Sequence, residues 1–119
     1  MDIFCKIING DIPSKRLYED EKVIVIMDVN PSSNGHSLVI PKCHYNDLFD
    51  IEDEVLNHIM KVARDMALKL KDKLGCEGVT LMQNNGLGQD VKHFHLHLIP
   101  KYNNSKKMDI DEVFHKIVD

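Results

Sequence analysis

Three of the chain's seven histidines stand at alternate positions in His93-Phe94-His95-Leu96-His97-Leu98-Ile99-Pro100. Imidazole titrates near neutral pH, ligates metals, and can act as a nucleophile or proton carrier. Alternation with Phe94, Leu96 and Leu98 is the period-2 pattern of a half-buried strand. Such a strand sends its apolar residues into a core. His93, His95 and His97 then share the opposite face, neighbours roughly 6.5–7 Å apart. Pro100 has no N–H and is expected to end the pairing. Three solvent-facing histidines on an ordinary strand are the bland alternative, but packing alone gives no reason to repeat imidazole three times on one face.

Two chemistries fit this pattern. His-x-His on one strand face can place two nitrogens on zinc or iron. The third histidine, about 13 Å from the first, is then out of reach of the same ion. The other chemistry is nucleophilic: a neutral imidazole attacks phosphorus or a carbonyl carbon while its neighbours orient it and manage protons. Crowded imidazoles disfavour one another's charged forms, which helps keep one neutral at pH 7.

The rest of the chain must position that strand. Apolar residues at 3, 4, 7 and 8 form a short helical stripe closed by Asn9-Gly10. Leu17 to Asp20 reads as a short strand, with a tight turn into the β-branched run Val23 to Val29, which suits a central strand covered on both sides. Asp28 stands at the end of that run. Residues 30–35 are dense in turn formers, and His36 to Lys42 is a further strand stopped by Pro41. From Asp50 the period becomes helical. Leu56, Met60, Ala63, Ala67, Leu70 and Leu74 form one stripe, widened by Val55, Ile59, Val62 and Met66. Acidic residues gather at its start, lysines at its end, and Gly75 is a natural C′ residue. Gly78 to Gln83 returns to strand, residues 84–90 are a loop, and Asp109 to Val118 reads as a terminal helix with Asp109 as N-cap. The expected fold class is α+β: an antiparallel five-stranded sheet, one long helix packed on a face, and short terminal helices.

Composition narrows the class. A chain of 119 residues suits one domain, 1–119, with 43% hydrophobic and 29% charged residues. A formal charge of -4 and the lack of a basic stripe argue against nucleic acid as a partner. The longest apolar run, Val23 to Met27, is far too short for a membrane span, and no signal-peptide pattern opens the chain. Cys5, Cys43 and Cys76 are odd in number and widely spaced, as free thiols in a reducing, cytoplasmic compartment would be.

The histidine strand resembles the signature of the histidine-triad (HIT) family, His-φ-His-φ-His-φ-φ. Further stretches look like its Hint branch, the purine nucleoside phosphoramidases: residues 3–13, Asp28-Val29-Asn30-Pro31, residues 35–42 and Asn84-Asn85-Gly86. The likeness runs over roughly residues 2–101. It implies a hydrolase that cleaves purine nucleoside 5′-phosphoramidates, or related adenylates, through a covalent nucleotidyl-histidine. By this resemblance His95 is the nucleophile, His97 binds phosphate oxygens, and His93 with His36 supports the nucleophile from behind. Asp28 accepts the ribose hydroxyls, a task for an ionised carboxylate. Asn84, Gly88 and Gln89 cradle phosphate through backbone N–H groups. It also implies a homodimer, which would cover an apolar flank of the long helix and a nearby sheet edge.

The chain departs from the pattern at Asp90, where the family commonly carries Ser or Thr near the leaving group, and in a loop of residues 84–89 that is shorter than usual. Some relatives bind zinc through Cys-x-x-Cys and two histidines. Here only Cys5 remains, with Asp2 at the first cysteine position and His44 and His93 in place. No cofactor is expected. A zinc site of Asp2, Cys5, His44 and His93 is the lesser expectation, and Cys5 as a small buried hydrophobe the greater. Two other functions stay open: a nucleotide-binding regulatory protein with little catalysis, and a metal-dependent hydrolase using the His-x-His strand.

Overall fold

β-branched runs separated by turn residues assemble into one antiparallel sheet in a computed structural model that describes residues 2–119. In chain order the elements are α1 (Ile3–Ile8), β1 (Arg16–Glu19), β2 (Val23–Met27), β3 (Ser37–Pro41), α2 (Asp53–Leu74), β4 (Gly78–Met82), β5 (Leu96–Lys101) and α3 (Ile110–Val118). The strands lie in the order β1-β2-β3-β5-β4, each antiparallel to its neighbours. This is the expected α+β architecture.

Both faces of the sheet are covered. Val23, Val25, Met27, Val39, Leu96 and Leu98 meet Ile59, Val62, Ala63, Met66 and Leu70 of α2. Ile24, Ile26, Leu38 and Ile40 meet Phe4 and Ile7 of α1 on the other side. That double cover is why every residue of β2 and β3 is buried. Each fully buried aliphatic side chain is worth about 1.5–3 kcal/mol over its exposed state, so the sheet centre is a firm base for the histidines.

α2 ends as its sequence predicts: Gly75 is left-handed at φ 66° and its N–H returns to the Lys71 carbonyl. The buried stripe is narrower than the sequence suggests, because Met60 turns outward and is 45% exposed. Pro100 does not end the last strand. It pairs opposite Val79, and β5 runs on to Lys101, whose carbonyl accepts from the Glu77 N–H. Proline forfeits a donor but keeps its carbonyl, and that of Pro100 accepts from Ser33 Oγ. β5 also begins later than the histidine pattern, at Leu96, and β2 stops at Met27, leaving Val29 exposed.

Gly35 brings the loop before β3 over the end of α2. Its φ is 91°, and a Cβ there would lie 2.5 Å from Leu74 Cδ1. Only glycine permits that approach, which sets the position of His36. Asn34 then ties the loop to the far end of the chain, donating to the Lys106 carbonyl and accepting from Met108 N–H.

Candidate active site

The apolar half of the strand pattern enters the core, as Phe94, Leu96 and Leu98 all belong to the cluster under α2. The histidines occupy the other face, but that face is not open. His93, His95 and His97 are 0%, 4% and 8% exposed, because α1 lies over them. The Phe4 ring packs edge-on against His95, centroids 4.9 Å apart, and reaches His93 at 5.9 Å.

Hydrogen bonding assigns the protons. His95 Nδ1 lies 2.8 Å from the His93 carbonyl oxygen, which can only accept, so Nδ1 carries the hydrogen and Nε2 keeps a lone pair. The Ser32 N–H donates to His36 Nδ1 at 3.0 Å. His36 therefore carries its proton on Nε2 and donates it to His97 Nδ1 at 2.9 Å. That leaves the His97 proton on Nε2. Two adjacent rings, 5.0 Å between centroids, thus expose opposite functions: a lone pair on His95 and an N–H on His97. Asp28 Oδ2 sits 3.5 Å from His36 Nε2, while Oδ1 accepts from the Asn30 N–H.

Burial keeps these rings uncharged. It is the largest cause lowering the affinity of His95 for a proton, against the opposing effect of the bond to the His93 carbonyl. His97 is pushed down to about 4, first by burial and then by the neighbouring His95 and His36. His36 is lowered by burial, with Asp28 pulling the other way. At neutral pH all three are neutral, as a nitrogen nucleophile requires.

The pair opens on a cavity of about 380 Å³. Ile3, Phe4, Ile12, Ile26, Leu38 and Val91 give it apolar walls, and Asp28 and Asp90 join His95 and His97 as its charged and titratable lining. An apolar slot with a few convergent polar groups suits a flat ring carrying a polar tail. Asn84, Gly88 and Gln89 are not among its lining residues. Their loop is instead held against residues 46–48: Gln89 Nε2 donates to the Asn46 carbonyl at 2.5 Å and Asn85 Oδ1 accepts from the Leu48 N–H at 2.7 Å. Asp90 is exposed at the cavity.

The His93 side chain points elsewhere. Its Nε2 donates to the Pro41 carbonyl at 2.8 Å, so Nδ1 faces Asp2 Oδ2 at 3.2 Å and Cys5 Sγ at 3.5 Å. His44 Nε2 is likewise engaged by Asn46 Oδ1, and its Nδ1 lies 3.0 Å from Asp2 Oδ2 and 3.8 Å from Cys5 Sγ. Asp2 Oδ2 and Cys5 Sγ are 3.5 Å apart. Zinc bonds of roughly 2.0–2.3 Å, arranged tetrahedrally, separate neighbouring ligand atoms by about 3.3–3.6 Å. The five distances, 3.0–3.8 Å, bracket that figure. The residues fit a borderline divalent cation, with one sulfur, two nitrogens and one oxygen as donors.

A family model for the HIT domain matches residues 9–104. The chain belongs to the HIT family. Among similar proteins, a HIT-like protein of Methanocaldococcus jannaschii is 43% identical, with 98% of each chain covered. An adenosine 5′-monophosphoramidase of Saccharomyces cerevisiae is 43% identical over 83% of this chain and 61% of its own. The structure resembles that of a zinc-bound histidine-triad protein from Mycobacterium smegmatis, with TM-score 0.90, 35% identity, and 98% and 89% of the two chains covered. In this HIT chain His36 meets His97 rather than the nucleophile candidate, and His93 reaches His95 through its carbonyl alone. Sequence reasoning missed Ser32, whose contribution is a backbone N–H and carries no side-chain signal. It missed Phe4 as well, although the stripe at 3, 4, 7 and 8 already marked it as a packing residue.

Proposed function

We propose that this HIT protein hydrolyses purine nucleoside 5′-phosphoramidates or related adenylates to the nucleoside monophosphate. One observation carries the reading: His95 Nε2 bears a lone pair beside the Nε2–H of His97, both at an apolar cavity. The lone pair attacks the α-phosphorus, a P–N(His95) bond forms, and the bond from phosphorus to the leaving nitrogen breaks. That nitrogen departs as an amine after taking a proton. The His97 N–H donates to a phosphoryl oxygen as its negative charge grows, a contact that stabilises the transition state more than the ground state. Water then attacks the nucleotidyl-histidine, which releases the monophosphate and returns the lone pair to His95. In this reading Asp28 takes the ribose hydroxyls and the apolar walls take the base. Asp90, exposed at the cavity, is turned to water in this reading, so the amine is protonated from solvent. The phosphoramidase activity in the name of the yeast relative supports the same chemistry.

Incubation with an adenylate donor, quenching and intact-mass spectrometry should reveal one nucleotidyl group per chain, mapped to His95. A label on another residue, or none during active turnover, overturns the mechanism. Tight monophosphate binding without turnover would favour the regulatory reading, and turnover abolished by chelator the metal-dependent one.

The same reading includes a second copy of the chain as partner. The outer edge of β4 pairs with no strand among the described residues, and Leu81 and Met82 are 46% and 40% exposed there. Light scattering is expected to give twice the chain mass of 13.7 kDa. Cys5, Cys43 and Cys76 are free thiols, which suits the reducing cytoplasm. No helix among the described residues is long and apolar enough to cross a membrane.

A further inference from the structure

We infer that a divalent cation held by Asp2, Cys5, His44 and His93 is thermodynamically linked to ligand binding in the cavity, with α1 as the connecting element. The inference rests on the nucleotide reading of that cavity. Asp2 and Cys5 flank Ile3 and Phe4 in sequence, and Ile3, Phe4 and Ile7 line the cavity. One turn of helix therefore presents cation donors on one side and pocket wall on the other. Asp2 serves both: Oδ1 accepts from the Cys5 N–H at 2.8 Å as the N-cap of α1, while Oδ2 joins the donor cluster.

α1 has six residues, too few to hold helical shape in water without tertiary support. Its support is the burial of Phe4 and Ile7 together with the cluster. With no cation, the two Nδ1 atoms are set opposite the same carboxylate oxygen, since each Nε2 lies against an oxygen acceptor elsewhere. A cation among the four donors replaces that opposition with four bonds. It ties α1 to His44 before α2 and to His93 beside the nucleophile candidate. A nucleotide that packs against Ile3 and Phe4 needs the same docked helix. Each ligand stabilises the state that the other requires, and the coupling must be reciprocal.

The test uses full-length protein stripped with chelator, then titrated with zinc and with AMP by calorimetry. Saturating zinc is expected to tighten AMP binding about tenfold, and saturating AMP to tighten zinc by the same factor. Zinc should also raise the melting temperature of the wild type. Cobalt in place of zinc should show a single-thiolate charge-transfer band that Cys5→Ser removes and Cys43→Ser keeps. His44→Ala, which lies outside the cavity lining, should weaken zinc at least tenfold, abolish the coupling, and leave metal-free AMP affinity unchanged. Zinc affinity that survives His44→Ala overturns the site. Zinc binding at the cluster with unchanged AMP affinity overturns the linkage alone. Coupling that persists in His44→Ala reveals direct zinc–AMP contact and overturns it too. Failure of wild-type protein to bind AMP in either form instead removes the nucleotide reading, and the linkage with it.

Discussion

Two histidine clusters flank the stretch that leads into β5, and their rings are chemically identical, yet their free nitrogens are set up for different work. Around His95, the Ser32 N–H and the His93 carbonyl impose a donor or acceptor role on each ring in turn, so one lone pair and one N–H emerge at a cavity. Around His93, both rings place Nε2 against an oxygen acceptor, and two Nδ1 atoms converge on a carboxylate and a thiol. The difference lies in the partner of the nitrogen that is not used. A backbone carbonyl at Nδ1 makes Nε2 the reactive atom, and one at Nε2 does the reverse. Residue type announces imidazole chemistry, while the tautomer decides which chemistry it is.

The two clusters should differ most at His95. His95→Gly should lower turnover by a factor on the order of 10⁴, as loss of a nucleophile does. Its melting temperature should fall modestly while the fold persists, because the buried ring packs against Phe4 of α1 and not in the α2 core. A folded variant with near-normal turnover would end the division of labour. His97→Ala removes one donor to the developing charge and should cost about 10²-fold in kcat with a small change in monophosphate affinity, measured by stopped-flow and calorimetry. His93→Ala should lose no more than about tenfold in turnover, since the carbonyl that holds His95 remains; a loss as deep as that of His95→Gly would merge the two clusters into one unit. Asp90→Ser should raise kcat/KM for simple aryl phosphoramidates several-fold by supplying the hydroxyl that the site lacks near the leaving group. A slower variant, together with an acid limb found only in the wild type, would make Asp90 the leaving-group acid.

The smallest expected effect concerns pH. His95 is lowered from its ordinary value and His97 to about 4. Attack needs the deprotonated ring, so activity persists below pH 6.5 and is lost only as pH falls through the lowered value. The rate at pH 6 should lie within about twofold of that at pH 7.5. Stability follows the same sign. Between about pH 6.5 and 4 the unfolded chain takes protons that the folded His97 refuses, so the protein should become less stable as pH drops through that window. An acid limb at or above 6.5 would show that burial does not keep the nucleophile neutral.

Much of the frame was legible because it is local. The stripe at 3, 4, 7 and 8, the alternation around His95, and Gly75 after the lysine-rich end of α2 are short-range patterns with direct physical causes. The family likeness supplied the site by position. What stayed hidden depends on partners far away in sequence or on main-chain atoms. His58 on α2 meets Asp20 across 38 residues at 2.7 Å, and Tyr18 donates to the same carboxylate, a clamp no periodicity announces. The separate fates of His93 and His95 turn on Pro41, Asp2 and a carbonyl oxygen. Alternation placed them on one face and could say nothing about hydrogen positions.

The peptide unit between His93 and Phe94 has two attachments: its oxygen receives His95 Nδ1–H at 2.8 Å, and its N–H donates to the Tyr45 carbonyl at 2.7 Å. Both the oxygen and the N–H are main-chain groups. No replacement at position 93 deletes that oxygen, and at position 94 only proline would delete the N–H. The reactive tautomer is therefore sheltered from mutational drift. Exchange of the His93 side chain or loss of a cation would leave the acceptor that holds the His95 proton on Nδ1 in place. Chemical synthesis could reach what heredity cannot. An ester at the 93–94 linkage would remove the N–H and weaken the carbonyl together, loosening both holds without altering a side chain.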